Sequence, residues 1–282
     1  MHNNLIIQGD NIPTPLLKTL ARTAGADSIK ALSEHAFCLS HARIETRGEI
    51  ASVCAEAKLD YGFIPAERRI ANYKLVAMDM DSTLIAIECI DEVADMIGLK
   101  TEVAAITQTS MRGEIGFAES LTRRVRLLAG LDASALQRVY DERLRLSPGA
   151  ERLLATLQRH GIKTLLVSGG FTFFTERLQK RLNLDYSAAN TLEIVNGRLT
   201  GNVMGDILDA KAKADHLQRI CERHGYAPEQ TVAIGDGAND LPMLAIAGVS
   251  IAYHAKPVVC AQAGYALNYS GLDAVLPLLG TT

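Results

Sequence analysis

The chain has 282 residues, 48% of them hydrophobic and 22% charged, with 29 Lys+Arg against 32 Asp+Glu. That length sets a prior of about two domains at roughly 100–200 residues each, and the composition excludes a disordered or fibrous chain. A net charge of −3 leaves no electrostatic footprint for nucleic acid or an anionic membrane surface.

No window approaches the ~18 uninterrupted apolar residues of a spanning helix. Cys38, Cys54, Cys89, Cys221 and Cys260 are odd in number, scattered and free of any CxxC pair. Such usage fits reduced thiols in the cytoplasm better than a disulfide framework or a zinc site. The start, Met1-His2-Asn3-Asn4, lacks the basic residues and long apolar stretch of a secretory signal, so a soluble cytoplasmic protein is expected.

The first 72 residues read as a small α/β unit. Leu5–Ile7 is a short apolar run, and Ile12-Pro13-Thr14-Pro15 opens a helix through Leu16, Leu17 and Leu20. Ala36–Leu39 is strand-like, Ile50, Val53 and Ala57 recur at helical spacing, and Tyr61–Ile64 is extended again. No cluster there suggests chemistry. From residue 73 onward the pattern strengthens. Lys74–Met78 ends in Asp79, Lys163–Val167 ends in Ser168-Gly169-Gly170, and Thr231–Ile234 ends in Gly235-Asp236-Gly237. Each run is short, rich in branched residues and punctuated, as strands buried on both faces of a parallel sheet are. Helical patterns at Glu151–His160, Phe174–Leu182 and Ala212–His224 lie between them, giving right-handed βαβ units with helices on both faces. Asn196-Gly197 centres a hairpin, and Gly248–Tyr253 supplies a further strand. Roughly 87–147 exceeds what a crossover needs and reads as a helical lid over the sheet.

Ligands of open parallel sheets gather beyond the carboxyl ends of the strands. The residues delivered there are Asp79 and Asp81, Ser168 with two glycines, and the acidic turn Gly235-Asp236-Gly237-Ala238-Asn239-Asp240. If the first strand continues, alternation points Asp79 and Asp81 the same way. Several carboxylates in one cleft repel unless protons or a hard cation intervene, and oxygen ligands favour Mg²⁺. Such a site suits phosphoryl chemistry, with a carboxylate attacking phosphorus in line and donors steadying the equatorial oxygens. Ser168 and Gly169 would supply donors at a helix N-terminus. A lysine must balance the phosphate, and Lys211 and Lys213 both lie on the approach to the later strand.

At these residues the chain resembles the haloacid dehalogenase (HAD) superfamily of phosphatases, and within it the bacterial phosphoserine phosphatases. The motifs are Asp79-Met80-Asp81-Ser82-Thr83 with Glu88-Cys89-Ile90-Asp91-Glu92, then Phe117 through Val125, then Ser168-Gly169-Gly170, then a lysine, then Gly235 to Asp240 and Ala255-Lys256-Pro257. The likeness runs from about Lys74 to the C-terminus. It implies a Rossmann-like HAD core over residues 73–282 with the helical cap inserted after the first core strand, and the small N-terminal domain over 1–72. It implies Asp79 as nucleophile and Asp81 as acid, then base. It implies Mg²⁺ on Asp79, the Asp81 carbonyl and Asp236, with Ser168, Gly169 and Lys213 on the phosphate; Lys213 matches the family spacing better than Lys211. Asn239, Asp240 and Thr83 support those shells. For phosphoserine as substrate, Glu88 meets the ammonium, Arg124 grips the carboxylate, and Met111 and Phe117 exclude water.

Alone, an Asp-x-Asp is most often a turn, Glu88 a solvated helix-start acid, and Met111 and Phe117 ordinary lid packing. Arg123 and Arg124 are neighbours, so a helix turns at most one of them to a ligand. Two other functions are weighed. One is the same chemistry on another small phosphomonoester; the other is a phospho-accepting receiver, disfavoured by Asp81 and the large insertion. The N-terminal unit is left with three roles: sensing serine, pairing chains into a homodimer, or shielding the core.

Overall fold

The computed structural model describes residues 3–280. Met1 and His2, on which part of the expected leaderless start falls, lie outside the described residues. The chain opens with a four-stranded antiparallel sheet carrying two helices. Strand β1 (Asn3–Gln8) is followed by α1 (Thr14–Ala24), β2 (Ser28–Ser33), β3 (Ala36–Ala42), α2 (Arg47–Ala57) and β4 (Asp60–Pro65), in the order β2-β3-β1-β4. Helix α1 begins at Pro13, carries Pro15 in its first turn and stops at Gly25, whose φ of 61° lets its amide close on Ala21 and Arg22. Leu17, Leu20, Ala21 and Ala24 repeat on one face and pack with Leu5, Ile7 and Ile50. Strand β2 is the element the sequence does not signal. It lies at the sheet edge, and its first four residues are exposed, so it shows no apolar alternation.

The second sheet has seven strands. They are β5 (Leu75–Met78), β6 (Lys163–Phe171), β7 (Tyr186–Val195), β8 (Arg198–Met204), β9 (Thr231–Gly235), β10 (Val249–Tyr253) and β11 (Tyr265–Leu267), in the order β11-β10-β9-β5-β6-β7-β8. The ladders β9–β10, β10–β11 and β6–β7 are parallel, and β7–β8 is the antiparallel hairpin expected at Asn196-Gly197. Both turn residues have positive φ, 49° and 76°, which matches the twist of a two-residue hairpin loop. Strand β11, three residues long, is a second element beyond the sequence pattern.

By contacts the chain divides into residues 1–76, 148–163 and 225–282, and residues 77–147 and 164–224. In the first unit, α7 (Ala150–Arg159) precedes β6. Later come α10 (Leu241–Ile246) after β9, α11 (Pro257–Cys260) after β10, and α12 (Val275–Leu278). In the second unit the inserted segment is helical, as expected: α3 (Cys89–Asp95), α4 (Lys100–Met111), α5 (Phe117–Leu127) and α6 (Ser134–Arg138). Its entry and exit are zipped side by side, Ala86 N–H donating to Arg145 O at 2.9 Å and Ser147 N–H to Leu84 O at 3.0 Å. Helices α8 (Thr172–Leu182) and α9 (Ala210–His224) complete that unit. No helix among the described residues is long and apolar enough to cross a membrane.

Candidate active site

Strand β5 stops at Met78 and the chain turns at once. Leu84 N–H reaches Asp79 O at 3.3 Å, Ile85 N–H reaches Met80 O at 3.0 Å, and Ser82 takes a φ of 56°. Asp79 and Asp81 therefore leave from a turn, and strand alternation does not govern their directions. Asp79 is 6% exposed. Its Oδ1 accepts from its neighbour's amide, Met80 N–H, at 2.7 Å, and from Lys213 Nζ at 2.8 Å. Lys213 is carried by α9 and is 1% exposed. A buried pair of this kind stands on mutual charge compensation, because either partner alone would be an unpaired charge in low dielectric. Lys211, the other lysine of the approach, instead pairs with Asp215 at 2.6 Å on the helix surface.

Asp81 behaves differently from Asp79. Its Oδ1 accepts from Cys89 N–H at 2.9 Å. Burial first, and then the charge of Glu88, raise its carboxyl to about 7, against the opposing pull of Cys89's hydrogen bonds and Lys213. Gly170 sits against it: a Cβ there would lie 2.7 Å from Asp81 Oδ2. Gly169 has the same constraint from another side, since a Cβ would lie 2.7 Å from the Phe117 ring. The glycine pair thus lets a carboxylate and a phenyl ring crowd one stretch of backbone. Ser168 is 1% exposed, and its Oγ accepts from Gly170 N–H at 2.9 Å. These residues belong to the end of β6, and α8 starts only at Thr172. The expected helix N-terminus at Ser168 is therefore corrected to a strand end, because β6 runs on to Phe171 before the chain turns.

The inserted helices carry the remaining polar candidates. Glu88, just before α3, is exposed, and Ser82 Oγ donates to its Oε1 at 2.7 Å. Arg124, on α5, is half-buried and donates from Nε to Ser120 O at 3.4 Å. Burial pulls its pKa down while Asp91, Glu88 and Asp81 push it up, and a guanidinium stays charged throughout. Its neighbour Arg123 pairs with Glu119 on the surface at 2.5 Å. Phe117 is half-buried, Thr83 fully buried, and Met111, the last residue of α4, 60% exposed.

The turn after β9 is organised around Asp240, which is 0% exposed. Its Oδ2 accepts from Asp236 N–H at 3.1 Å and Gly237 N–H at 3.0 Å. A Cβ on Gly235 would fall 2.5 Å from that carboxylate, and one on Gly237 would collide with Asn239 Oδ1. The carboxylates of Asp79, Asp236 and Asp240 form a group that could hold a metal ion, the first and last buried and Asp236 partly so. Gathered carboxylates repel one another, and a cation among them relieves that repulsion. An all-oxygen donor set fits a hard divalent cation such as Mg²⁺ rather than a soft one.

Three contributors escape sequence reasoning. Asn190, on β7, is 2% exposed; its Nδ2 donates to Gly169 O at 2.9 Å and its Oδ1 accepts from Leu208 N–H at 2.7 Å. It thereby ties the Ser168–Gly170 stretch to the backbone leading into α9. An asparagine among strand formers was the available signal. The Cys89 amide on Asp81 is backbone and leaves no trace in composition. Asp91 reads as a surface acid, yet burial raises its pKa and Arg124 opposes the rise.

Residues 73–248 match the model of the haloacid dehalogenase-like hydrolase family. A phosphoserine phosphatase of Polaromonas sp. (strain JS666) is 52% identical over 216 residues, covering 75% of this chain and 92% of that protein. Among solved structures, a HAD family hydrolase from Salmonella enterica serovar Typhi is similar with a TM-score of 0.90 at 35% identity, covering 99% of this chain and 98% of that one. A probable phosphoserine phosphatase from Vibrio cholerae, in unliganded form, is similar with a TM-score of 0.85 at 37% identity, covering 98% and 86%.

Proposed function

The chain belongs to the haloacid dehalogenase-like hydrolases, and on that premise we propose that it is a Mg²⁺-dependent phosphoserine phosphatase, releasing L-serine and phosphate through an aspartyl phosphate in the last step of serine synthesis. One observation carries the chemistry. Two carboxyl groups two residues apart sit in different surroundings, Asp79 paired with the buried Lys213 and Asp81 raised to about 7 by burial and Glu88. Sites that need a nucleophile and an acid from the same residue type separate them in this way.

In the forward step an Asp79 carboxylate oxygen attacks phosphorus in line and the phosphorus–oxygen bond to serine breaks. Asp81 gives its proton to the departing serine oxygen. In the second step the now ionised Asp81 takes a proton from water, whose oxygen attacks phosphorus. The acyl phosphate opens, and Asp79 is regenerated as carboxylate. Lys213, Ser168 and the Gly169 backbone steady the equatorial oxygens, with Asn239 in support. Asp79, Asp236 and the Asp81 carbonyl are the groups that would hold Mg²⁺, and Asp240 would orient Asp236 through its amide. The ion, when bound, offsets phosphate charge.

Glu88 and Arg124 carry the choice of substrate, meeting ammonium and carboxylate respectively, while Phe117 and Met111 exclude water when the cap covers the site. The domain boundary is placed near Tyr73, with the cap over roughly 87–147. Five free cysteines fit the cytoplasm as its location. The test is a substrate panel with and without Mg²⁺. Phosphoserine should exceed phosphothreonine and sugar phosphates in kcat/KM, and chelation should abolish turnover. A sugar phosphate hydrolysed faster than phosphoserine would move the protein to the alternative substrate class.

A further inference from the structure

Among the described residues of the first 72, two polar side chains are buried, Gln8 and Asp60, each 2% exposed. They are cross-strand partners in the β1–β4 ladder. Neither serves its own sheet. Gln8 Nε2 donates to Ala274 O at 3.0 Å. Asp60 accepts three consecutive amides from the segment after β11: Asn268 N–H at 2.7 Å, Tyr269 N–H at 3.1 Å and Ser270 N–H at 2.8 Å. Successive amides aimed at one carboxylate form an anion nest, and charge-assisted bonds of this kind are stronger than neutral ones.

The segment so fixed is not an idle tail. Ser270 O lies 2.9 Å from His254 Nε2, which donates to it in the tautomer this acceptor selects. His254 N–H donates to Leu267 O at 2.7 Å. His254 takes a φ of 45°, a conformation a non-glycine residue holds only when its surroundings impose it. That bend ends β10 and brings Lys256 N–H to within 3.3 Å of Asp236 O. Strands β9 and β10 are adjacent and parallel, with Gly235 opposite Ala252, so the loop after β10 lies against the backbone of Asp236.

We infer that Asp60 is a positioning residue for Asp236: the N-terminal layer sets the 268–270 turn, and through His254 that turn holds the loop that bonds the Asp236 carbonyl. The inference rests on the reading of Asp236 as a Mg²⁺ ligand. It makes the first 72 residues a fixed part of the metal-site scaffold. Groups bonded directly to a ligand hold its direction, and their loss typically weakens metal affinity about 10–100-fold; Asp60 acts through further links, so the low end of that range is its upper bound.

The test is calorimetric titration of Mg²⁺ into full-length chains freed of metal, with Tm recorded alongside. Asp60→Ala should raise the Mg²⁺ Kd more than twofold and up to about tenfold, and shrink the rise in Tm that Mg²⁺ gives. Asp60→Asn, which keeps an acceptor oxygen, should fall between. His254→Ala should move Kd in the same direction and carries the test if Asp60→Ala does not fold. Ile50→Ala, a cavity in the core of the same layer, should lower Tm and leave Kd within about twofold. The inference is overturned if Asp60→Ala and His254→Ala bind Mg²⁺ as the unaltered chain does, or if Ile50→Ala shifts Kd as far as they do. An unaltered chain that binds no Mg²⁺ overturns the metal reading itself, and this inference with it.

Discussion

Lys213 and Asp79 pair with side chains 1% and 8% exposed, one on a fifteen-residue helix and the other on a turn closed by backbone hydrogen bonds. Glu88, on the inserted segment, is exposed and accepts from the Ser82 hydroxyl, and Arg124 is half-buried and donates to its own helix at 3.4 Å. The buried pair is rigid because moving either member strands a charge, whereas Glu88 and Arg124 are the more open to solvent. The contrast teaches where each task belongs. Bond making needs fixed geometry and low dielectric, whereas recognition of a charged amino acid needs groups that can close on it.

Breaking the rigid side should cost most. Asp79→Asn removes the nucleophile, and turnover of phosphoserine should drop to the level of a chain-free control, measured as released phosphate. Lys213→Met should lower kcat/KM by on the order of 10²–10³. It should also destabilise the metal-free protein by roughly 3–5 kcal/mol in chemical denaturation, because Asp79 is left buried without its partner.

Changes on the open side should be smaller and selective. Arg124→Lys replaces a planar fork by a point charge, so KM for phosphoserine should rise about tenfold, while a phosphomonoester lacking the carboxylate is unaffected. An equal loss on both substrates would place Arg124 in the phosphoryl chemistry instead.

The smallest effect concerns pH. Glu88 helps raise Asp81 to about 7, so Glu88→Gln lowers that pKa and the acid form is lost sooner. The alkaline limb of kcat/KM should then move to lower pH, by up to about one unit. The same raised carboxyl acts on stability. Between the ordinary 3.8 and about 7 the folded chain holds a proton that the unfolded chain releases, so metal-free stability falls as pH rises through that window. Asp81→Asn should flatten that part of the stability profile.

Much of this was legible in the chain. The apolar runs ending in Asp79, Ser168 and Asp236 become strands β5, β6 and β9, because continuous branched runs suit a sheet covered on both faces. Asn196-Gly197 was unambiguous. Strand β2 was hidden by exposure at an edge, and β11 by its three residues. Asn190 and Asp60 were hidden for a different reason. Each bonds backbone amides or carbonyls far away in sequence, and a partner made of backbone has no residue type to read. Spacing favoured Lys213 over Lys211 through the resemblance, and burial makes the distinction physical.

The covalent step is the claim on which the rest depends. Quenching the enzyme during turnover of phosphoserine, reducing acyl phosphate with borohydride and mapping the product by peptide mass spectrometry reads it directly. Homoserine at position 79 is the predicted result. Reduction at another carboxylate, or none while phosphate is still released, would contradict it.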